Sequence, residues 1–202
     1  MLKVVVLGYG ELTQSIVLGI LESGHKLVGV FRWDKYRPNR VYACIRDILV
    51  PDALLSIMRT HNIRDINAEK ANSIEFKQEI QKLAPDVIIV GAWGEILRQD
   101  IINLPKVACI NCHPSYLPAH RGSNPYVSVL MAGEKETGIT FHLMTPEIDA
   151  GDILLQEKVS ISNSDNAGSL KKKCAFTAKR MVPVLLNRLE KAELIPIKQD
   201  ES

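Results

Sequence analysis

The chain has 202 residues, 46% of them apolar and 24% charged, with a net charge of +2. That length supports one domain with a substantial core and is short for two. The near-even charge balance neither requires nor excludes a nucleic-acid partner, and no apolar run approaches the roughly 18 residues of a membrane-spanning helix. The opening MLKVVVLGYG lacks the long apolar region and cleavage site of a signal peptide, so the expected location is cytoplasmic.

Leu2 to Leu7 is a continuous β-branched run, the pattern of a strand buried on both faces. Gly8-Tyr-Gly10 ends it, and Glu11 to Ser23 places Leu12, Ile16, Ile20 and Leu21 at helical spacing before Gly24. Leu27 to Phe31 reads as a second strand, which makes a βαβ unit with parallel strands. Gly8-x-Gly10 opens a dinucleotide fingerprint, but Thr13 stands where the third glycine belongs and Asp34 lies past the strand end. A lone G-x-G reads as well as a tight strand-to-helix turn.

Arg32 to Arg46 is a basic connection carrying Arg32, Lys35, Arg37, Arg40 and Arg46, suited to phosphate or simply solvated. Pro51 suits the first turn of a helix to about His61, with Leu54, Leu55 and Met58 on one face. Ile66-Asn67 is a short strand candidate. Ser73 to Leu83 is a further helix with Ile74, Ile80 and Leu83 inward.

Val87 to Val90 and Val107 to Cys112 are two more buried strands. Strands alternating with helices predict an α/β fold, with a mainly parallel, Rossmann-like sheet and helices on both faces. Ligands bind beyond the carboxyl ends of such strands. That rule places Gly8–Gly10, Gly91–Leu97 and the loop beginning at Asn111 on one rim. Pro125 to Met131 reads as a short helix, Gly138 to Met144 and Ile153 to Val159 as a hairpin. A final helix runs from Leu170 to about Leu189, capped by the cluster Asn163–Asn166 and kinked at Pro183, with Lys171 to Lys173 on a solvated face.

Cys109-Ile-Asn-Cys112-His113 formally matches haem-attachment and redox C-x-x-C patterns. Its context is a buried strand, so the thiols of Cys44, Cys109, Cys112 and Cys174 read as reduced, small apolar filler.

The stretch from Ile110 to Gly151 carries the chemistry. Asn111, His113, Ser115 and Asp149 admit a serine-hydrolase triad, a metal site with His142, or acyl transfer to an amine without a covalent enzyme intermediate. The first lacks a G-x-S-x-G elbow, and the second lacks H-E-x-x-H or paired C-x-x-C spacing. The third uses what is present. Asn111 donates to the developing oxyanion, His113 shuttles a proton, and Asp149 orients the ring and raises its pKa.

The run INCHPSYLP (residues 110–118), then Arg121-Gly122, TGIT (residues 137–140) and IDAGD (residues 148–152), resembles the formyltransferase family. That pattern has Asn-x-His-x-Ser-Leu-Leu-Pro and a later Asp-x-Gly, with the same separation of His and Asp. The likeness runs from Leu2 to about Ser202. It implies formyl transfer from 10-formyltetrahydrofolate to an amine, with Asn111, His113 and Asp149 as the catalytic trio. Ser115, Tyr116, Leu117 and Pro118 would bind folate, with Tyr116 departing from the usual leucine. Trp93 to Leu97, including Ile96, and the loop Thr145–Asp149 would wall the pteridine pocket, and Arg121 would face the acceptor.

AWGEIL (residues 92–97), RGSNP (121–125), AGEKETG (132–138) and SGHKLVGV (23–30) resemble the branch that formylates methionyl-tRNA, making initiator tRNA the expected partner. The amino-sugar branch shares Arg-Gly-x-x-Pro. Residues 1–195 are expected to form the catalytic domain, with 196–202 a tail or the start of a linker to a C-terminal domain that the chain does not contain. A Rossmann-type oxidoreductase, a formyl hydrolase and a non-catalytic folate-binding domain remain the other classes.

Overall fold

The computed structural model describes residues 1–32 and 53–200. Its strands are β1 (Lys3–Gly8), β2 (Lys26–Arg32), β3 (Val87–Gly91), β4 (Ala108–His113), β5 (Glu136–Leu143) and β6 (Ile153–Ser160). Its helices are α1 (Gly10–Glu22), α2 (Ala53–Thr60), α3 (Ile74–Leu83), α4 (Gln99–Ile102), α5 (Pro125–Met131) and α6 (Ala167–Glu190). Among the described residues the strands form one sheet in the order β2-β1-β3-β4-β5-β6. The first four run parallel, and β5 and β6 add as an antiparallel hairpin. The expected α/β, mainly parallel architecture is the one the chain adopts.

The two-residue period of a strand explains the unbroken apolar runs. Val4, Val6, Val87, Ile89 and Ile110 face one core, packed against α1, α2 and α6. Val5, Leu7, Ile88, Val90 and Cys109 face a second core, filled by Phe76 and Ile80 of α3 and Ile101 and Ile102 of α4. Each central strand therefore needs apolar residues at every position. Cys109 and Cys112 point into opposite cores, so a disulfide between them is geometrically impossible. Burial raises the Cys109 thiol to about 12 and holds Cys112 well above its ordinary value. These are inert core thiols.

Three local expectations shift. Ile74 is 72% exposed, because the helix starts at the Ser73 cap and turns Phe76 and Ile80 inward instead. The strand at 66–67 reduces to a bridge between Val30 and Asp65. The last helix, α6, starts at Ala167 rather than Leu170, because a capping box between Asn166 and Ser169 fixes its N-terminus there. Arg32 is buried at the end of β2 and pairs with Asp65 at 3.1 Å. Asp34, Lys35, Arg37, Arg40, Cys44, Arg46 and Pro51 lie outside the described residues.

β2 and β3 flank β1 on opposite sides, so the chain reverses direction across the sheet at the carboxyl ends of β1 and β3. Crevices open at such switch points. The turn after β1 packs closely on the end of β3. A Cβ on Gly8 would lie 2.0 Å from the Gly91 carbonyl oxygen, and Thr13 Oγ1 donates to that same oxygen at 2.8 Å. The hydroxyl thus ties α1 to the end of β3 at the place where a dinucleotide fingerprint needs a bare backbone.

Candidate active site

A cavity of about 870 Å³ opens at this switch point. Its floor is the end of β4, and its walls are the turn after β1, the loop 91–97 after β3 and the loop 145–149 after β5. Trp93, Ile96 and Leu97 all line it. Trp93 is braced by Phe31, with ring centroids 5.5 Å apart. Asn72 holds the loop from behind, donating to the Ile96 carbonyl and accepting from the Arg98 N–H, both at 2.9 Å. Sequence patterning gave no sign of Asn72, because its partners lie more than twenty residues away.

Asn111 and His113 are two apart on β4 and so share a face of the strand. Antiparallel pairing sets His142 of β5 directly opposite Asn111. The loop after β5 folds back and carries Asp149 to the same point. Asp149 Oδ1 accepts from Asn111 Nδ2 at 3.0 Å, and Oδ2 accepts from the Gly122 N–H at 2.9 Å. His113 Nδ1 lies 3.4 Å from Oδ2, and His142 Nε2 lies 3.5 Å from Oδ1. Asp149 has a left-handed backbone, φ 52°, an uncommon conformation for a residue other than glycine.

Hydrogen-bond chemistry fixes the orientations. The carboxylate of Asp149 accepts only, so the nitrogen of the Asn111 amide must face it. His142 Nδ1 donates to the Leu143 carbonyl at 2.9 Å, which leaves Nε2 to accept from Asn111 Nδ2 at 3.1 Å. Both amide protons of Asn111 are therefore engaged. His113 Nε2 donates to the His120 carbonyl at 2.9 Å. A neutral His113 ring has one proton for two acceptors, Asp149 and His120.

The electrostatics correct one expectation. Burial dominates at His113 and lowers its pKa below 6.5, although the Asp149 carboxylate and the His120 carbonyl act in the opposite sense. Asp149 is expected from the sequence to keep this ring charged; the carboxylate does act in that sense, but burial outweighs it. Burial disfavours ionisation of Asp149 too. The neighbouring donors, the Gly122 N–H among them, outweigh that and hold it below 3.8.

The segment expected to bind folate stands elsewhere. Ser115, Tyr116, Leu117 and Pro118 are absent from the cavity lining. Ser115 Oγ donates to the Ala119 carbonyl at 2.6 Å, and the Ser115 carbonyl accepts from Thr140 Oγ1 at 2.7 Å. The Leu117 carbonyl accepts from Gln156 at 2.8 Å, and Tyr116 packs over Gly138. These bonds pin the loop against β5 and β6, away from the cavity. What the loop delivers to the site is the carbonyl of His120. Arg121 does not line the cavity either; its guanidinium binds Gln199.

The sequence pattern of the formyl transferase family matches residues 2–186. The protein belongs to that family. The chain is 32% identical over 201 residues to the methionyl-tRNA formyltransferase of Kosmotoga olearia, and it spans 63% of that relative's length. Its fold matches glycinamide ribonucleotide transformylase 1 of Symbiobacterium toebii with a TM-score of 0.78 at 19% identity, covering 99% of this chain and 95% of that one. It also matches the N-formyltransferase of Helicobacter canadensis in complex with folinic acid and dTDP-3-aminofucose, TM-score 0.74 at 21% identity, covering 100% and 68%.

Of the polar side chains gathered on the site's floor, His142 is the one that sequence reasoning weighed only as a metal ligand. Among the described residues no group of His, Cys, Asp and Glu side chains is arranged to hold a metal ion. Strand alternation would have linked His142 to Asn111 only with the register of β4 against β5 in hand.

The two lowered histidines predict how stability of the formyl transferase depends on pH. His25 Nδ1 accepts from the Leu2 N–H at 3.0 Å, and burial lowers the pKa of this ring as it does that of His113. Both rings bind a proton more weakly folded than unfolded. Their contribution is complete above 6.5 and is lost as pH falls below 6.5 through the folded values. Urea midpoints measured across pH should be level above neutrality and fall on acidification. A midpoint that rose between neutrality and mild acid would contradict this.

Proposed function

We propose that this formyl transferase moves a formyl group from 10-formyltetrahydrofolate to a primary amine, with the α-amino group of methionyl-tRNA as the acceptor. The observation that carries the reading is the convergence of Asn111, His113 and Asp149 on the floor of one cavity. The cavity residues fit the donor: Trp93, Leu97, Met144 and Ile148 supply apolar wall in a space of about 870 Å³, within the usual range for small-molecule sites. Trp93, Ile96, Leu97 and the loop 145–149 would hold the flat ring, and the donor supplies the activated formyl carbon.

An ordinary α-amino group has a pKa of about 7.7–8.0, so a useful fraction is neutral without a strong base. As its nitrogen adds to the formyl carbon, the carbonyl electron pair moves onto oxygen. Asn111 meets that charge by redirecting the proton it gives to the neutral His142 ring, while its charge-assisted bond to Asp149 keeps the amide in place. His113 has two acceptors beside it, so a second proton on the ring is stabilised once negative charge grows nearby. It can then pass a proton from the attacking nitrogen to the leaving one as the old carbon–nitrogen bond breaks.

The test is a discontinuous formylation assay with methionyl-tRNA, nucleotide-linked amino sugars and no acceptor in parallel. Formylated methionyl-tRNA is the expected product. Asn111→Ala and His113→Ala should each lower turnover by at least about a hundredfold, the lower end of the range for positioned donors and acid–base groups. Wild-type rates in both variants would overturn the roles given to them. Formylation of the sugar alone would move the acceptor to that class, a reading favoured by the fit to the Helicobacter canadensis enzyme. Formate release without acceptor would make the protein a hydrolase. Stabilisation by NAD(P) but not by a reduced folate in a thermal-shift titration would replace the whole reading with a nucleotide-binding one.

A further inference from the structure

Outside the site, the least expected contact is made by the segment after α6. Ile197 pairs with Ile153 through two backbone hydrogen bonds, 2.7 and 2.9 Å, so the segment crosses the start of β6 as a short antiparallel strap. Two residues on, one side-chain amide uses its whole hydrogen-bonding capacity. Gln199 Nε2 donates to the Asp149 carbonyl and to the Gly151 carbonyl, both at 2.8 Å. Its Oε1 accepts from Arg121 Nε at 3.0 Å and Nη2 at 2.5 Å. The amide cannot be flipped, since carbonyls only accept and a guanidinium only donates.

These partners belong to the two loops that meet at the catalytic carboxylate. One loop carries Asp149 itself; the other carries Gly122, next to Arg121, whose N–H binds Asp149 Oδ2. We infer that Gln199 is a positioning residue, which acts through the Asp149 and Arg121–Gly122 loops to hold the carboxylate in register with His113 and Asn111. The inference rests on the formyl-transfer reading of that same site. Gln199 does not line the cavity, and it meets Asp149 only at the main-chain carbonyl.

Two features say that the clasp serves placement rather than overall stability. Ile195 and Ile197 are 81% and 64% exposed, so little apolar burial holds the strap down. Asp149 is in the left-handed region, where its backbone has no intrinsic preference to stay. Its side chain is fixed from the cavity side by Asn111 and Gly122, and its carbonyl from the opposite side by Gln199. Releasing the second anchor frees the peptide to rotate and takes the carboxylate with it. Displacements on the order of 1 Å at such a group cost about a hundredfold in rate.

Gln199→Glu and Gln199→Ala in the full chain separate the halves. Glutamate keeps an acceptor for Arg121 but turns the donor into an oxygen facing two carbonyls; alanine removes both. In formyl transfer each variant is expected to lose about tenfold to a hundredfold in kcat with donor KM within about threefold, and the acid limb of the kcat profile should move to higher pH as Asp149 loses its partners. An NMR titration of the His113 ring gives a readout independent of any acceptor, and its midpoint should shift in both variants. Kinetics, acid limb and His113 midpoint all matching wild type would overturn the inference. So would an activity loss that tracks a lower Tm with the limb and midpoint unmoved. Variants that shift the His113 midpoint, alongside a wild type that transfers no formyl group, would overturn the proposed function and not the clasp.

Discussion

Replacing Asp149 with asparagine should lower formyl transfer by at least about a hundredfold, the lower end of the range for positioned acid–base groups. The two side chains have the same shape, so the change is one of charge and of donor against acceptor. Asp149 meets donors on both oxygens, Asn111 Nδ2 at 3.0 Å and the Gly122 N–H at 2.9 Å. An asparagine in either orientation turns its own NH₂ toward one of those donors. If it faces Asn111, the oxyanion donor is pushed from its place; if it faces Gly122, the loop 121–122 opens. In both cases the negative charge opposite His113 is gone, and the ring loses the partner that favours its second proton. Single-turnover rates at saturating donor measure the effect apart from binding. A loss smaller than about tenfold would show that the carboxylate orients nothing of consequence.

The same variant bears on the acid limb. The folded pKa of Asp149 lies below its ordinary 3.8, so the ionised carboxylate contributes stability above that value and loses it as pH falls through the folded one. Asparagine cannot titrate. The acid denaturation curve of the variant should lack this component while keeping the histidine component that begins below 6.5.

The parts of this site differ in how far the sequence reveals them, for physical reasons. Asn111 and His113 were legible because strand alternation is local: a buried run that ends in an amide and an imidazole two apart puts both on one face. The rim of three loops followed from parallel strands and the switch-point rule. Asp149 stood out only as the first carboxylate of an acidic turn, and the family resemblance sharpened its pairing with His113, since nothing local says that such a turn returns to a strand nearly forty residues earlier. His142 required the β4–β5 register. Ser115–Pro118 stand off the cavity lining because Thr140 on β5 and Gln156 on β6 hold the loop, and neither contact is local in sequence. Burial of His113 was likewise invisible, and it reverses the expected direction of that pKa. Gln199 shows the limit: four hydrogen bonds from one polar side chain to partners 48 to 78 residues distant leave no periodic trace.

Gly151→Ala should damage activity about as much as a catalytic substitution although the residue presents no reactive group. A Cβ at this position would lie 1.8 Å from the Leu143 carbonyl oxygen and 2.8 Å from its carbon. Those atoms are backbone at the end of β5, so no side-chain rotation relieves the overlap; the loop itself has to lift. Gly151 is thus required by close approach, which explains the glycine in the Asp-x-Gly pattern. The loop leaves β5 after Leu143, and the Leu143 N–H returns to the Asp152 carbonyl at 2.9 Å, closing it into a tight ring that aims Asp149 at Asn111. Lifting Gly151 opens that ring, pulls its carbonyl from Gln199 and moves Asp149, two residues away, by a comparable amount. A shift on the order of 1 Å corresponds to about a hundredfold in rate, while overpacking of this kind costs roughly 1–3 kcal/mol of stability. Urea unfolding and single-turnover kinetics on the same preparation separate the two effects. If the variant folds with the expected modest destabilisation and transfers formyl at the wild-type rate, the loop is not what places the carboxylate.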